Sequence, residues 1–142
     1  MTYRLVVGVD GSSHGDAALR WAIAEARVHK GEIVAVFAWQ MPFIGVPAAF
    51  DRDEMERLSL AFVDEAVAAV VDDDSVPVTK LVAQGDVSGS LIAACRELEA
   101  DILVLGSRGR GGFAGLKLGS VSQECVQHAA CPVVIIKQPG DG

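Results

Sequence analysis

The chain has 142 residues, of which 51% are hydrophobic, and a formal net charge of -7. This length suits one compact domain, so we expect a single domain over residues 1–142. The acidic charge argues against nucleic-acid binding, and the apolar runs are too short to cross a membrane. An apolar run begins at residue 5 and leaves no room for a secretory leader, so we expect a soluble, cytoplasmic protein.

The first half of the chain alternates strand-like and helix-like patterns. The apolar run over residues 5–9 stops at Asp10 and is typical of a strand buried on both faces. Apolar residues at Ala18, Ala22 and Ala26 have helical spacing, and residues 33–39 form a second strand-like run. Residues 40–50 contain proline and glycine without periodicity, which predicts a loop able to act as a partial lid.

The second half continues the alternation. From about residue 51 to 74, an apolar stripe at helical spacing predicts a long helix, and its members are Met55, Leu58, Phe62, Ala66 and Ala69. Strand-like runs follow at residues 78–83, 102–105 and 133–136. Val87, Leu91 and Cys95 mark a helix between the first two of these strands, and a fourth helix is expected after Gly119.

Buried strands that alternate with helices predict the fold class. We expect a single doubly wound α/β domain, with a five-stranded parallel sheet and about four helices on both faces. Ligands of such sheets bind beyond the carboxyl ends of the strands, where the winding direction reverses. Two places are therefore candidates for a site: the turn after the first strand, at Asp10, and the loop after the fourth strand, from Gly106.

The segment over residues 106–120 is rich in glycine and leads into the last predicted helix. Glycine lets backbone N–H groups approach a ligand closely, and a helix N-terminus adds unpaired donors, so phosphate is the ligand this segment favours. Polar side chains that suit phosphate oxygens are Arg108, Arg110, Ser120 and Ser122. Ser120 and Gln123 also have the spacing of a capping box.

Two common nucleotide motifs do not fit this segment. Lys117 lies between Leu116 and Leu118, which excludes a Walker A loop. Gly109, Gly111 and Ala114 satisfy a permissive GxGxxA spacing, but they follow the fourth strand instead of the first. A dinucleotide-binding Rossmann site is therefore not favoured.

A more specific pattern is Gly106-x2-Gly109-x9-Gly119-Ser120, and with it the sequence resembles the universal stress protein family. The resemblance covers nearly the whole chain. Its other parts are the Val9-Asp10-Gly11-Ser12 turn, the Gly85-Asp86 helix start, the strand over residues 100–106 and the Cys131-Pro132-Val133-Val134 entry to the last strand. In that family this glycine spacing marks the ATP-binding branch.

The resemblance implies a set of binding residues. Residues of the glycine segment and the following helix start would surround the ribose and phosphates, Asp10 would face the nucleoside, and backbone near Ala38 would read the adenine edge. The candidate nucleotide-binding residues are Val9, Asp10, Gly11, Ser12, Ala38, Gly106, Arg108, Gly109, Arg110, Gly119, Ser120, Val121 and Ser122. We identify no catalytic residue and no metal ligand.

The function implied is that of an ATP-binding regulatory protein in stress response. ATP, or else AMP or ADP, is the expected ligand, and Mg²⁺ can accompany ATP. A homodimer through the last strand is expected, and its interface residues are Val133, Val134, Ile135 and Ile136. The protein partner is unknown. Two alternatives stay open: a slow Mg-dependent ATPase or phosphotransferase, and a non-catalytic interaction module with a vestigial pocket.

Several residues also have plainer interpretations. Asp10 suits a turn, since Asp bonds its own downstream backbone. Arg108 and Arg110 are typical of solvated loop charges, and Trp39 at a strand end is either packed or stacked on a base. His14 is expected at the surface of the first helical turn, with catalytic use as the alternative.

The three cysteines are Cys95, Cys125 and Cys131. Their odd number and the absence of C-x-x-C spacing favour neither a disulfide framework nor a zinc site. We therefore expect reduced thiols in or near the core.

Overall fold

The computed structural model describes residues 2–40, 51–72, 74–108 and 118–138. Strands and helices alternate along this part of the chain. The elements are β1 Arg4–Gly8, α1 Ser13–His29, β2 Glu32–Trp39, α2 Arg52–Ala68, β3 Val78–Gln84, α3 Val87–Glu97, β4 Ile102–Gly106, α4 Ser120–His128 and β5 Val133–Ile136. The predicted loop over residues 40–50 falls, apart from its first residue, outside the described residues.

All strand pairs are parallel, and the strand order is β3-β2-β1-β4-β5. The chain winds from the central β1 to one edge through β2 and β3, then returns to the centre and winds to the other edge through β4 and β5. The direction therefore reverses between β1 and β4. The prediction of a doubly wound α/β fold with a parallel five-stranded sheet is confirmed.

The helices cover both faces of the sheet, and the β1 side chains therefore pack alternately into two apolar clusters, one on each face. Leu5 and Val7 pack in one cluster with α1 and α2, whereas Val6 packs in the other cluster with α3 and α4. Small residues at Ala18 and Ala22 on the buried face of α1 let this helix lie close to the sheet.

The two edge strands are less buried than their sequences predict. Three consecutive residues of β3 are exposed, from Thr79 to Leu81, and all four residues of β5 are only partly buried. The prediction that these two strands are buried on both faces is wrong for the described chain, in which both lie at the edges of the sheet.

The predicted apolar face of the second helix is confirmed only in part: Phe62 and Ala66 are partly buried, but the buried face is shifted. Its buried residues are Ser59, Val63 and Val67, whereas Leu58 is 50% exposed. Ser59 is accommodated because its hydroxyl donates to the Met55 carbonyl oxygen within the same helix. The helix ends at Ala68 and not near residue 74.

The cysteines occupy the expected positions. Cys95 and Cys125 are buried and Cys131 is partly buried, all three are free thiols, and they lie in the apolar cluster under α3 and α4. Among the helices that the structure describes, none is both long and apolar enough to span a membrane.

Candidate functional site

The point where the winding reverses lies at the carboxyl ends of β1 and β4. These strands are neighbours in register, with Val7 opposite Val104, so the chain leaves both of them at the same edge of the sheet. The segments that follow are the turn at residues 10–12 and the start of the glycine-rich segment, and the two candidate positions from the sequence therefore lie side by side.

The turn after β1 is held by its own side chains. The Asp10 Oδ1 atom accepts hydrogen bonds from the Ser12 backbone N–H at 2.9 Å and from the Ser12 hydroxyl at 2.5 Å. The Ser12 oxygen in turn accepts from the Gly15 N–H at 3.0 Å and caps α1. Gly11 has a φ of 77°, which glycine adopts without a Cβ clash. Asp10 therefore makes the turn bonds of its plainer interpretation, and both of these bonds go to one carboxylate oxygen, Oδ1.

Val9 and Ala38 lie at the ends of neighbouring strands. The Val9 N–H donates to the Val36 carbonyl oxygen at 2.9 Å, and Val9 is buried. Ala38 pairs with Ala83 near the end of β2 and is also buried. Trp39, the last residue of β2, is only 6% exposed, which favours its packing interpretation.

Gly106, at the end of β4, lies directly against the first turn of α1. A Cβ at this position would come within 2.7 Å of the backbone carbonyl carbon and oxygen of His14. The residue must therefore be glycine for a packing reason, the close approach of α1, which the sequence pattern alone does not reveal.

Hydrogen bonds join the two ends of the glycine-rich segment that the structure describes, residues 106–108 and 118–120. The Ser107 N–H donates to the Ile136 carbonyl oxygen at 2.9 Å, and the Ser107 carbonyl oxygen accepts from the Gly119 N–H at 2.8 Å. The Ser122 hydroxyl donates to the Gly106 carbonyl oxygen at 2.8 Å. Residues 107 and 119 thus meet at the end of β4, while Gly109 and Arg110 lie outside the described residues.

The N-terminus of α4 has no side-chain cap. Gly119 is the N-cap residue, and because glycine has no side chain it makes no side-chain capping bond to the first-turn N–H groups. The predicted capping box is therefore wrong: Ser120 already lies inside the helix, and the Gln123 side-chain amide donates to the Leu118 carbonyl oxygen instead. The N–H groups of Ser120 and Val121 belong to the turn in which a helix leaves donors for an anion.

Arg108 and His14 meet beside this helix end. The Arg108 Nη2 atom lies 3.5 Å from the His14 Nε2 atom, and both residues are partly exposed. The expectation of a plain surface histidine missed this contact, because it arises from the packing of α1 against the end of β4. The predicted doubly wound sheet could have revealed this contact, because such a sheet brings the first turn of α1 next to the end of the fourth strand.

The arrangement suits binding of an anion. Within the described part of the chain, no three His, Cys, Asp or Glu residues are grouped so as to hold a metal ion. The site instead combines a helix N-terminus, the Arg108 guanidinium and one carboxylate on the neighbouring turn. Such a set can hold a phosphate at one end of a ligand and accept a hydroxyl hydrogen bond at the other.

Comparison with known protein families shows the family to which the chain belongs. The model of the universal stress protein family matches residues 1–137. The chain belongs to the universal stress protein family. A universal stress protein of Thermus aquaticus is 33% identical over 136 residues, which cover 94% of this chain and 97% of that protein.

Other members of the family are longer. A universal stress protein of Mycobacterium tuberculosis is 31% identical over 135 residues, which cover 94% of this chain but 45% of that protein. The chain thus spans about half the length of this and several other mycobacterial members it matches.

Solved structures of universal stress proteins share the fold. The structure of UspA from Lactobacillus plantarum has a TM-score of 0.77 at 23% identity, covering 94% of this chain and 97% of that one. An Archaeoglobus fulgidus protein in complex with dAMP gives 0.66 at 22% identity, with 95% and 98% covered. An Arabidopsis thaliana protein with AMP bound gives 0.63 at 22% identity, with 98% and 94% covered.

Proposed function

We propose that this universal stress protein is a cytoplasmic, ATP-binding regulatory protein of stress response. Its single nucleotide-binding domain forms a homodimer, and a partner protein recognises its nucleotide-bound state. The observation that carries the proposal is the N-terminus of α4, which begins at a glycine N-cap and which hydrogen bonds hold at the point where the sheet reverses its winding. Helix N-termini at such points bind anions, because their N–H groups and the helix dipole favour phosphate.

Each part of the site has a role in this proposal. The backbone N–H groups of the α4 first turn and the Arg108 guanidinium bind the phosphates. Asp10 uses the carboxylate oxygen that does not hold the turn to accept a hydrogen bond from the nucleoside. Backbone at the end of β2, near Ala38, reads the adenine edge, and Mg²⁺ accompanies the phosphates of ATP.

The choice of an adenine nucleotide is supported by the family. The Archaeoglobus and Arabidopsis proteins share this fold and were solved with dAMP and AMP. In the proposed site, α4 and Arg108 bind the phosphate of such a ligand, and the Asp10 carboxylate binds its nucleoside. ATP is proposed over AMP because the Gly106-x2-Gly109-x9-Gly119-Ser120 spacing resembles that of the ATP-binding branch of the family.

Calorimetric titration with ATP, after mass spectrometry of any nucleotide released from the purified protein, tests the proposal. We expect Gly119→Val to weaken ATP binding at least about tenfold, since the side chain would block approach to the α4 N–H groups. The fold should persist, because Gly119 has φ -71° and ψ 166°, a backbone conformation that valine adopts readily.

Ala129→Val is the matched control for this experiment. It introduces the same valine side chain at the opposite end of α4, where the backbone has φ -67° and ψ 145°. Its ATP affinity should equal that of the wild type. Failure of the wild type to bind any adenine nucleotide, or full affinity in Gly119→Val, would refute the proposed function.

A further inference from the structure

The contact between His14 and Arg108 joins two segments that are far apart in the sequence. His14 belongs to the first turn of α1, and Arg108 follows β4 at the start of the glycine-rich segment. Their side chains meet at the edge of the sheet where the proposed nucleotide site lies, with the Nη2 and Nε2 atoms 3.5 Å apart.

The backbone on both sides of this contact is fixed. The His14 backbone packs so closely on Gly106 that a Cβ there would lie 2.7 Å from it. On the other side, Ser107 is 1% exposed and bonds through its N–H to Ile136 and through its carbonyl to Gly119. The imidazole is therefore presented to residue 108 by a rigid frame, whereas the arginine side chain has several rotatable bonds.

The chemistry of the pair assigns a direction to the contact. A guanidinium has only donors, so the His14 Nε2 atom is the acceptor of a hydrogen bond in this contact. The separation of 3.5 Å is at the long limit of a hydrogen bond, so the contact restrains the guanidinium weakly.

We infer that His14 is a positioning residue that holds the Arg108 guanidinium ready for the phosphates of the nucleotide. The inference rests on the proposed function and adds a residue to it. An arginine that is restrained before the ligand arrives loses less conformational freedom on binding, so the restraint contributes affinity for phosphate and none for the base.

The test compares ATP with adenosine, which lacks phosphates, by calorimetry on the full chain. We expect His14→Ala to weaken ATP binding about fivefold to tenfold and to leave adenosine binding unchanged. His14→Gln should restore most of the affinity, because its amide oxygen reaches about as far as Nε2. His14→Asn carries the same amide on a shorter chain and should not.

A double-mutant cycle with Arg108→Ala separates positioning from direct contact. If His14 acts through Arg108, His14→Ala has no further effect on ATP affinity once the arginine is absent. An additive loss in that background overturns the inference, as does an equal loss for ATP and adenosine. Unchanged ATP affinity in His14→Ala overturns this inference alone, whereas a wild type that binds no ATP overturns the proposed function as well.

Discussion

The Ser122 hydroxyl donates a 2.8 Å hydrogen bond to the carbonyl oxygen of Gly106 and so joins the first turn of α4 to the last residue of β4. Ser122 is 4% exposed, so this bond lies inside the protein. The hydroxyl that the sequence offers as a phosphate donor thus holds the helix N-terminus in place.

Ser122→Ala is expected to lower the free energy of unfolding by about 1–2 kcal/mol, because it removes a buried donor and leaves the Gly106 carbonyl without this partner. Denaturant unfolding measures the change. Ser120→Ala is the control on the same turn: Ser120 is exposed, and its loss should change stability by no more than about 0.5 kcal/mol. Equal effects of the two substitutions would contradict a structural role for the Ser122 hydroxyl.

Asp10 and Asp86 offer a matched pair for separating stability from binding. Each carboxylate bonds to backbone and serine at a helix start: Asp10 to Ser12, and Asp86 to the Gly89 N–H and the Ser88 hydroxyl. Asp10→Ala and Asp86→Ala should each cost about 1 kcal/mol of stability. Only Asp10→Ala should also weaken adenosine binding, by calorimetry, since only Asp10 is proposed to face the nucleoside. Equal adenosine affinity in both variants would show that Asp10 does not contact the nucleoside.

Much of the fold could be predicted from the sequence, because parallel strands buried on both faces produce continuous apolar runs. The limits of that reasoning appear in α2. Its apolar residues Leu58 and Leu60 are 50% and 42% exposed, whereas Ser59 is buried. A stripe drawn through apolar residues assumes that polar ones face water, and it cannot foresee that a serine satisfies its hydroxyl within the helix.

The relative position of the two candidate segments was predicted, but their local contacts were not. The turn at Asp10 and the segment from Gly106 do follow neighbouring strands, as the predicted winding requires. However, Gly106 is constrained by α1, and the cap of α4 is Gly119 rather than a serine. These details depend on how closely α1 approaches the end of β4 and on where α4 begins, which spacing along one chain does not determine.

The buried thiols predict a loss of stability at high pH. Burial in the apolar cluster raises the pKa of Cys95 to about 12 and that of Cys125 to about 11. In the unfolded chain these thiols ionise near pH ~8.5, so the stability that they contribute is complete below that pH and is lost as the pH rises through 11 and 12.

We expect the melting temperature to fall between pH 9 and 11, and to fall less in the double variant Cys95→Ala/Cys125→Ala. At pH 8, a thiol reagent should modify both residues of the native protein slowly, and partly buried Cys131 faster, because the thiolate is the reactive form. An identical pH dependence in the double variant would show that other groups cause the loss.

The proposed dimer depends on the backbone of β5. This strand ends the described sheet, and Pro132 and Ile136 accept hydrogen bonds from the β4 side through their carbonyl groups. Alternate residues of a strand bond to the same neighbour, so the N–H and C=O groups of Val133 and Ile135 point away from β4. These are the groups that a second copy of β5 would pair with.

Ile135→Pro should therefore dissociate the dimer, because proline removes an outward N–H while the bonds from Pro132 and Ile136 to β4 remain. Light scattering should give the wild type about twice the chain mass of 14.9 kDa and the variant a mass near 14.9 kDa. Charged residues at Val134 and Ile136 should have the same effect or cause aggregation, since both side chains are only partly buried.

Lys80→Pro is the control on the opposite edge strand. The Ile33 N–H bonds to the Pro77 carbonyl oxygen and the Gly85 N–H to the Trp39 carbonyl oxygen, so in β3 the odd-numbered residues face β2 and Lys80 faces outward. It matches Ile135 in backbone orientation, and its exposed ion pair with Asp64 contributes little to stability. Lys80→Pro should remain dimeric. Dissociation by both prolines would indicate a general loss of stability, and a wild type of single-chain mass at micromolar concentration would exclude the β5 dimer.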